Sequence, residues 1–542
     1  MLERNFVKTI EKSLKDNWTL PCFSNFEADT HSYADIAESF LIFHEVFKKC
    51  GIKKGDKLAV CGKNSVNWAK CYLGTVTYGA VIVPILPDFS SEDITNILNH
   101  SEAKVFFADE SILKGLDLEA IPVLEVVGKL DDFDIIKTSG KITNTIIAEA
   151  RGVISERYKA GLKPEDLAFD DIPNDTLEGI VYTSGTTGFS KGVMLNHNCL
   201  MANVDFAQKN ISLKSGDAIL NFLPLAHSFG CAFDLLFPIA TGCHITFLPK
   251  MTPQLLIKGL AEVKPALILT VPLLVEKIYF KQLKPILNKS YAKIPGIKQL
   301  LERVIYKKLN ATFGGNFISL VLGAAAFNPE VEAFLKKIKF RFTVGYGMTE
   351  CGPLISYMPW DVYKGGSAGR LINHLECKID SEDPANILGE ICVRGENAMI
   401  GYYKNDEATR EAIDEEGWLH TGDMGTMDSD NVIFIKGRCK NMLLGAAGQN
   451  IYPEELEARL NNHDIVADAL VLEREGKVTA LIYPEPDFIK SLSDTEVEAE
   501  VKETVRIVNK ELPAYSKIIL SEIRTEEFEK TPTSKIKRYK YS

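Results

Sequence analysis

No two of the 11 cysteines form a Cys-x-x-Cys pair. Even the nearer groupings, such as Cys231 with Cys243, lack the paired spacing of a zinc site. They read as buried, reduced thiols of a cytosolic protein. Long apolar runs are missing too. The most apolar stretch, 218–249, is broken by His227, Asp234, Pro238, Gly242 and His244, which excludes a membrane span of about 20 apolar residues. Met1-Leu2-Glu3-Arg4 carries charge in place of an apolar core, so no secretory signal is expected, and neither end shows a lipidation motif. Glycine (38) and proline (23) sit at ordinary levels, ruling out collagen-like and low-complexity chains. Cations are in deficit, with 62 Lys and Arg against 73 Asp and Glu and a net charge of −11. Nucleic acid is therefore not an expected partner, because phosphate contacts need clustered cations.

What is present is apolar material for large cores: 542 residues, 46% hydrophobic and 25% charged, enough for more than one globular unit. Candidate strands at 57–61, 80–85, 104–108, 177–182, 218–222, 244–248, 267–271 and 318–322 alternate with helical patterns at 35–49, 91–100 and 252–263. Alternation of this kind implies crossover connections and an α/β fold of mainly parallel sheets buried on both faces. No repeat of solenoid or propeller period is seen. The pattern changes after Gly437. A helix near Pro453, strands at 469–473 and 478–484, a charged helix at 494–510 and a basic tail predict a small α+β unit. The expected division is 1–437 and 438–542.

The clearest chemical signal is Tyr182-Thr183-Ser184-Gly185-Thr186-Thr187-Gly188-Phe189-Ser190-Lys191-Gly192, after an apolar strand and before a helix expected near His197. Small hydroxyl residues among glycines leave backbone N–H groups open to phosphate oxygens, and Lys191 adds a point charge. The order Ser190-Lys191-Gly192 differs from the Gly-Lys-Ser/Thr of a Walker loop. By composition alone such a cluster is more often a plain turn.

The loop nevertheless resembles the signature of the adenylate-forming superfamily: acyl-coenzyme A synthetases, firefly luciferase and peptide-synthetase adenylation domains. Its usual form has proline where Ser190 stands. Further matches follow in order: Gly345-Tyr346-Gly347-Met348-Thr349-Glu350, Trp418-Leu419-His420-Thr421-Gly422-Asp423, Gly437-Arg438-Cys439-Lys440, and Thr531-Pro532-Thr533-Ser534-Lys535-Ile536-Lys537-Arg538. The resemblance implies a large N-terminal domain with a small barrel-like part and a small mobile C-terminal domain. It also implies a chemistry. A carboxylate attacks the α-phosphorus of ATP and pyrophosphate departs; a thiol then attacks the acyl-AMP and expels AMP.

By the same resemblance, residues 183–191 (Thr183, Ser184, Gly185, Thr186, Thr187, Gly188 and Lys191 among them) hold the β- and γ-phosphates. Thr349 touches the α-phosphate, and Glu350 coordinates Mg²⁺, which favours oxygen ligands. Asp423 accepts from the ribose hydroxyls, with Arg438 beside it. Tyr346, between Gly345 and Gly347, stacks on adenine, and Gly323-Ala324-Ala325 leaves room for the other face. Lys535 bridges carboxylate and α-phosphate, a task suited to a compact ammonium on a flexible stem. Lys440 is the hinge, with Gly445 and Gly448 in the loop it presents. Without the resemblance, Glu350, Arg438 and Lys440 read as surface charges, Tyr346 as a core aromatic and the tail lysines as solvated.

Two segments, Leu223-Pro224-Leu225-Ala226-His227-Ser228-Phe229-Gly230 and Val271-Pro272-Leu273-Leu274-Val275-Glu276-Lys277-Ile278-Tyr279, resemble the long-chain fatty acid branch, with His227 at the mouth of the acyl pocket. Asp234 is out of register for pairing a substrate ammonium, which disfavours amino acids. The expectation is a cytoplasmic ligase joining a medium- or long-chain fatty acid to coenzyme A, able to rest against the inner face of a membrane. Transfer to a carrier protein, a fatty acyl-AMP ligase and a non-catalytic acyl or nucleotide sensor are the competing readings. The oligomeric state is not written in the sequence.

Overall fold

In a computed structural model, residues 2–139, 142, 144–183, 190–289, 295–444, 449–531 and 535–541 are described. Two sheets carry the large N-terminal part. One has eight strands in the order Gly401–Tyr402, Lys191–Asn196, Leu177–Thr183, Val81–Ile85, Lys57–Cys61, Val105–Ala108, Val126–Lys129 and Ile135–Thr138. Its middle pairs are parallel and only the outer ones antiparallel. The other has seven, from Phe342–Val344 through Ser319–Leu322, Leu267–Thr270, Ala218–Asn221, His244–Phe247 and Pro21–Asn25 to Thr30–Ser32. Central strands such as Val-Ile-Val-Pro-Ile at 81–85 and Val-Phe-Phe-Ala at 105–108 are buried throughout. Continuous apolar runs of this sort are what a sheet covered on both faces requires. Covering helices start where expected. Ser32 and Asp35 make reciprocal caps on Tyr33–Lys49, and Ser90 with Asp93 do so on Ser91–Ser101.

The expected strands and helices fall within a few residues of those observed, with one difference. A strand, Lys191–Asn196, stands between the glycine-rich segment and the helix His197–Asn210, pairing antiparallel with Leu177–Thr183 so that Thr183 lies opposite Lys191. Phosphate-loop reasoning expects strand–loop–helix; here Val193 and Leu195 bury instead in a period of two.

A four-stranded antiparallel sheet follows: Leu375–Asp380, Gly389–Gly395, Leu419–Met427 and Ile433–Arg438. The principal apolar core extends from Phe6 to Ile433. A separate, aliphatic core begins at Ile451 and joins the strands Val466–Arg474, Lys477–Pro484 and Leu520–Ile523 to the helices Pro453–Leu460 and Asp494–Glu511. Its first hairpin turns through Glu475 and Gly476, both at positive φ, the geometry that matches strand twist in a two-residue loop.

Candidate active site

Several singled-out motifs begin just past the carboxyl end of a parallel strand. Leu223–Gly230 follows Ala218–Asn221, Gly323 follows Ser319–Leu322, and Gly345 follows Phe342–Val344. Thr183 ends its own strand. In open α/β sheets this edge is where ligands bind, because the strand ends and loops there leave a crevice. Ser184, Gly185, Thr186, Thr187, Gly188, Gly445, Gly448 and the segment Pro532-Thr533-Ser534 lie outside the described residues.

Asp423 and Arg438 are opposite partners on neighbouring strands, and Arg438 Nε lies 3.0 Å from Asp423 Oδ1. The other oxygen, Oδ2, accepts the Tyr346 hydroxyl at 2.7 Å. Burial, then the Asp423 charge, pushes the Tyr346 phenol well up, so it remains a donor. Each carboxylate oxygen retains a second lone pair for another donor. Gly323 departs from its expected use. A Cβ there would meet the Phe229 ring at 3.0 Å, so the missing side chain makes room for that phenyl group, while Ala324 and Ala325 are exposed. Gly347 has a backbone reason too: a Cβ would come within 2.2 Å of the Pro353 carbonyl oxygen.

Glu350 is half-buried, and its Oε1 accepts the Tyr402 hydroxyl at 2.8 Å. The Tyr402 ring in turn carries the Lys191 ammonium 4.8 Å from its centroid, a cation–π contact. Tyr402 therefore ties the base of the glycine-rich segment to Glu350. No local pattern marks Tyr402; only the pairing of Gly401–Tyr402 with the strand Lys191–Asn196 brings it there. Thr349 Oγ1 lies 3.5 Å from Ser228 Oγ, which joins the Gly345–Glu350 motif to the segment containing His227. Burial, with Lys535 adding to it, lowers the His227 pKa to about 4, so the ring is neutral at physiological pH. Glu390 was also missed. One of its oxygens accepts the Gly422 N–H at 2.9 Å and the other bonds His420 at 2.8 Å, which braces the turn before Asp423.

Lys535, exposed in the C-terminal part, lies near enough to feel the charges of Arg438, Asp423 and Glu350. Partial desolvation, then the Arg438 charge, lowers the pKa of this exposed lysine, while Asp423 and Glu350 act in the opposite sense. Among the described residues it makes no ion pair within 4 Å. The other cations of the tail are not loose: Lys530 bonds Asp468 at 2.8 Å, Lys537 and Lys540 share Glu529, and Arg538 pairs with Glu457. Lys440 is exposed, in the turn Cys439–Asn441 between the two cores. Lys535, Arg438, Asp423 and Glu350 thus form one group of charges that influence one another. Glu350 fits Mg²⁺ by chemistry: a hard carboxylate with one oxygen accepting from Tyr402 and the other without a hydrogen bond among the described residues.

Residues 11–403 match the family model for AMP-binding enzymes, and residues 440–541 match that for the AMP-binding enzyme C-terminal domain. The chain belongs to the AMP-binding enzyme family. Among curated relatives, it is 30% identical over 459 residues to "Probable 4-coumarate–CoA ligase 3" of Dictyostelium discoideum, covering 82% of this chain and 78% of that one. It is 29% identical over 486 residues to "Long chain acyl-CoA synthetase 6, peroxisomal" of Arabidopsis thaliana, covering 82% and 67%. The fold is shared with the anthranilate CoA ligase AuaEII in complex with anthranoyl-AMP, at a TM-score of 0.79 and 19% identity over 100% of this chain and 97% of the other.

Proposed function

We propose that this chain is an AMP-forming acid–coenzyme A ligase that activates a medium- or long-chain fatty acid. ATP and coenzyme A are its co-substrates and Mg²⁺ its cofactor. The observation that carries the reading is Asp423 held by Arg438 and Tyr346, with Lys535 of the separately cored C-terminal part near enough to feel the charges of Asp423, Arg438 and Glu350.

Hydroxide leaves a carboxylic acid too poorly for direct thioester formation, so the acid is first joined to AMP. The work for the protein is to hold phosphoryl charge rather than to supply a nucleophile. The segment 183–191 with Lys191 cradles the β- and γ-phosphates. Thr349 orients the α-phosphate. Asp423, held from both sides by Tyr346 and Arg438, takes the ribose. Mg²⁺ on Glu350 neutralises phosphate charge when bound. Lys535 brings its ammonium between the incoming carboxylate and the α-phosphate, so that charge gathering in the transition state meets a cation already in place. The part from residue 438 onward then turns about Lys440, withdrawing Lys535 and clearing space for the thiol.

The choice of acid rests on the apolar character of the acyl segments. Phe222, Cys231, Phe233 and Leu236 are buried, and Phe229 packs edge-on to Phe233 at 6.1 Å. Both acyl segments run into π-helical turns, Cys231–Leu236 and Tyr279–Leu283, a local widening often found where a helix serves a ligand. Asp234 is buried against Asn221 at 3.2 Å, and burial raises its pKa well above the usual range, so it offers no charge to a substrate ammonium. The relatives named for coumarate keep a hydroxylated aromatic acid as the rival substrate. A panel of straight-chain acids of graded length beside 4-coumarate, with AMP, pyrophosphate and thioester measured, decides. Preference for coumarate would overturn the fatty acid, and transfer only to a carrier-bound pantetheine would overturn free coenzyme A as acceptor.

A further inference from the structure

Charge is unevenly spread along the chain. Between residues 250 and 312 stand 12 Lys and Arg against 3 Asp and Glu, in a protein whose net charge is −11. Exposed apolar side chains gather in the same segment. Of 18 exposed large hydrophobic residues among those described, six are Met251, Ile257, Leu273, Ile297, Leu300 and Val304. That is a third of them in about a tenth of the chain. Isolated exposed apolar side chains are ordinary, but a cluster inside a basic surface is not.

The two features coincide on the helix Pro295–Thr312. Its inner side carries Ile305 and Leu309, both buried. Ile297, Leu300 and Val304 recur at spacings of three and four, so they line one outward stripe, with Leu300 63% and Val304 53% exposed. Lys307 and Lys308 continue that stripe toward the C-terminus and Arg303 flanks it, all exposed. By contrast Lys258, Lys281 and Lys284, nearby in sequence, are engaged by Glu27, Glu485 and Glu330. No acidic partner is found for Arg303, Lys307 or Lys308 among the described residues. The helix Pro253–Val263 packs beside this one and adds exposed Ile257. No helix of the described residues is long and apolar enough to cross a membrane.

We infer that the outward face of the helix Pro295–Thr312, with the surface beside it, docks on an anionic lipid bilayer. Apolar side chains at one level and lysine or arginine flanking them suit a helix lying in the headgroup plane. There the apolar groups enter the acyl boundary and the cations meet lipid phosphates. A protein of net negative charge is repelled by such a surface everywhere except at a locally basic patch, so the patch also sets the orientation. The inference stands independently of which acid is activated.

Sedimentation of the full chain with sucrose-loaded vesicles tests it, using phosphatidylcholine alone or mixed with phosphatidylglycerol. The wild type pellets with the anionic vesicles, less so as salt rises, and stays in the supernatant with phosphatidylcholine alone. Lys307→Glu with Lys308→Glu lowers the partition coefficient by about tenfold or more. Leu300→Ser with Val304→Ser weakens it while leaving the salt dependence, and circular dichroism with a thermal melt checks that both variants stay folded. Wild-type binding to neutral vesicles as strong as to anionic ones, no binding to either, or unaltered partitioning of both variants overturns the inference. So does a dimer in analytical ultracentrifugation that the same substitutions dissolve, since that would make the face a contact between copies.

Discussion

Glu350 and Lys535 bring opposite charges to the same space and are held there in opposite ways. Glu350 sits over the large core, with Tyr402 on one oxygen and Lys191 behind that ring. Asp423 beside it is pinned from two sides. Lys535 belongs to a short turn in which Thr531 N–H donates to the Lys535 carbonyl at 2.7 Å and the Lys535 N–H donates to Thr531 Oγ1 at 3.2 Å. Lys530, Lys537, Arg538 and Lys540 are clamped to acids of the C-terminal part, whereas Lys535 makes no ion pair within 4 Å among the described residues. A receptor that must hold a polyphosphate in one geometry is built stiff. On the proposed reading, a cation that must leave between two half-reactions is carried by a part with its own core, and Lys440, the proposed pivot, is exposed.

The sharpest way to break that contrast is Lys535→Ala. Acyl-AMP formation should fall by about 100- to 1,000-fold, the usual loss for a preorganised group facing transition-state charge. Thioester formation from supplied acyl-AMP should be nearly untouched. Pyrophosphate exchange and single-turnover thioester assays report the two halves separately, and equal losses would remove the division of labour.

Lys440→Pro tests the pivot from the other side. Proline fixes φ in the Cys439–Asn441 turn and so restricts rotation. Adenylation should survive, with the thioester step slowed by about tenfold or more. Normal overall turnover would show that the change of state runs through other residues.

Tyr402→Phe bears on the stiff side. Loss of the hydroxyl leaves Glu350 without its 2.8 Å donor but keeps the ring beneath Lys191. A net hydrogen bond to a charged group is worth about 1.5–3 kcal/mol, so the Mg²⁺ requirement should shift and adenylation drop by about tenfold or somewhat more. A Mg²⁺ titration of the exchange rate separates a displaced carboxylate from a general defect: only the first is eased by excess metal.

How far these features were legible differs by kind. The parallel strands announced themselves because burial on both faces demands unbroken apolar runs, as at 81–85 and 105–108. Glu350, Asp423, Arg438 and Lys535 stand out only because each lies in a short run that resembles, in the same order, the motifs of the adenylate-forming superfamily. Tyr402, Glu390 and Ser228 did not, since their roles exist only across strand pairings and loop contacts tens of residues apart. Gly323 shows the converse. The sequence marks a place where bulk is avoided but not which neighbour claims the space, and that neighbour is Phe229. The strand Lys191–Asn196 was hidden because its alternation is short and sits directly against a phosphate-loop composition that suggests a helix start.

The smallest expected effect on rate concerns one of the buried groups that the larger core leaves partly unpartnered. Glu178 lies on the strand that ends at Thr183, is 1% exposed, and leaves Oε1 without a partner. Burial raises its pKa to about 8, with only Tyr72 opposing. Between the unfolded value of 4.5 and about 8, the folded chain keeps a proton that the unfolded chain releases. Rising pH across that window therefore favours unfolding by about 1.4 kcal/mol per unit from this group. Glu178→Gln removes the titration. Its stability advantage over the wild type should be slight near pH 5 and widen steadily toward pH 8, while adenylation stays within about twofold because Glu178 lies beneath the site and not in it. Urea unfolding of both proteins across the window reads the difference directly. Parallel stability curves would mean that Glu178 is ionised in the folded state with a partner.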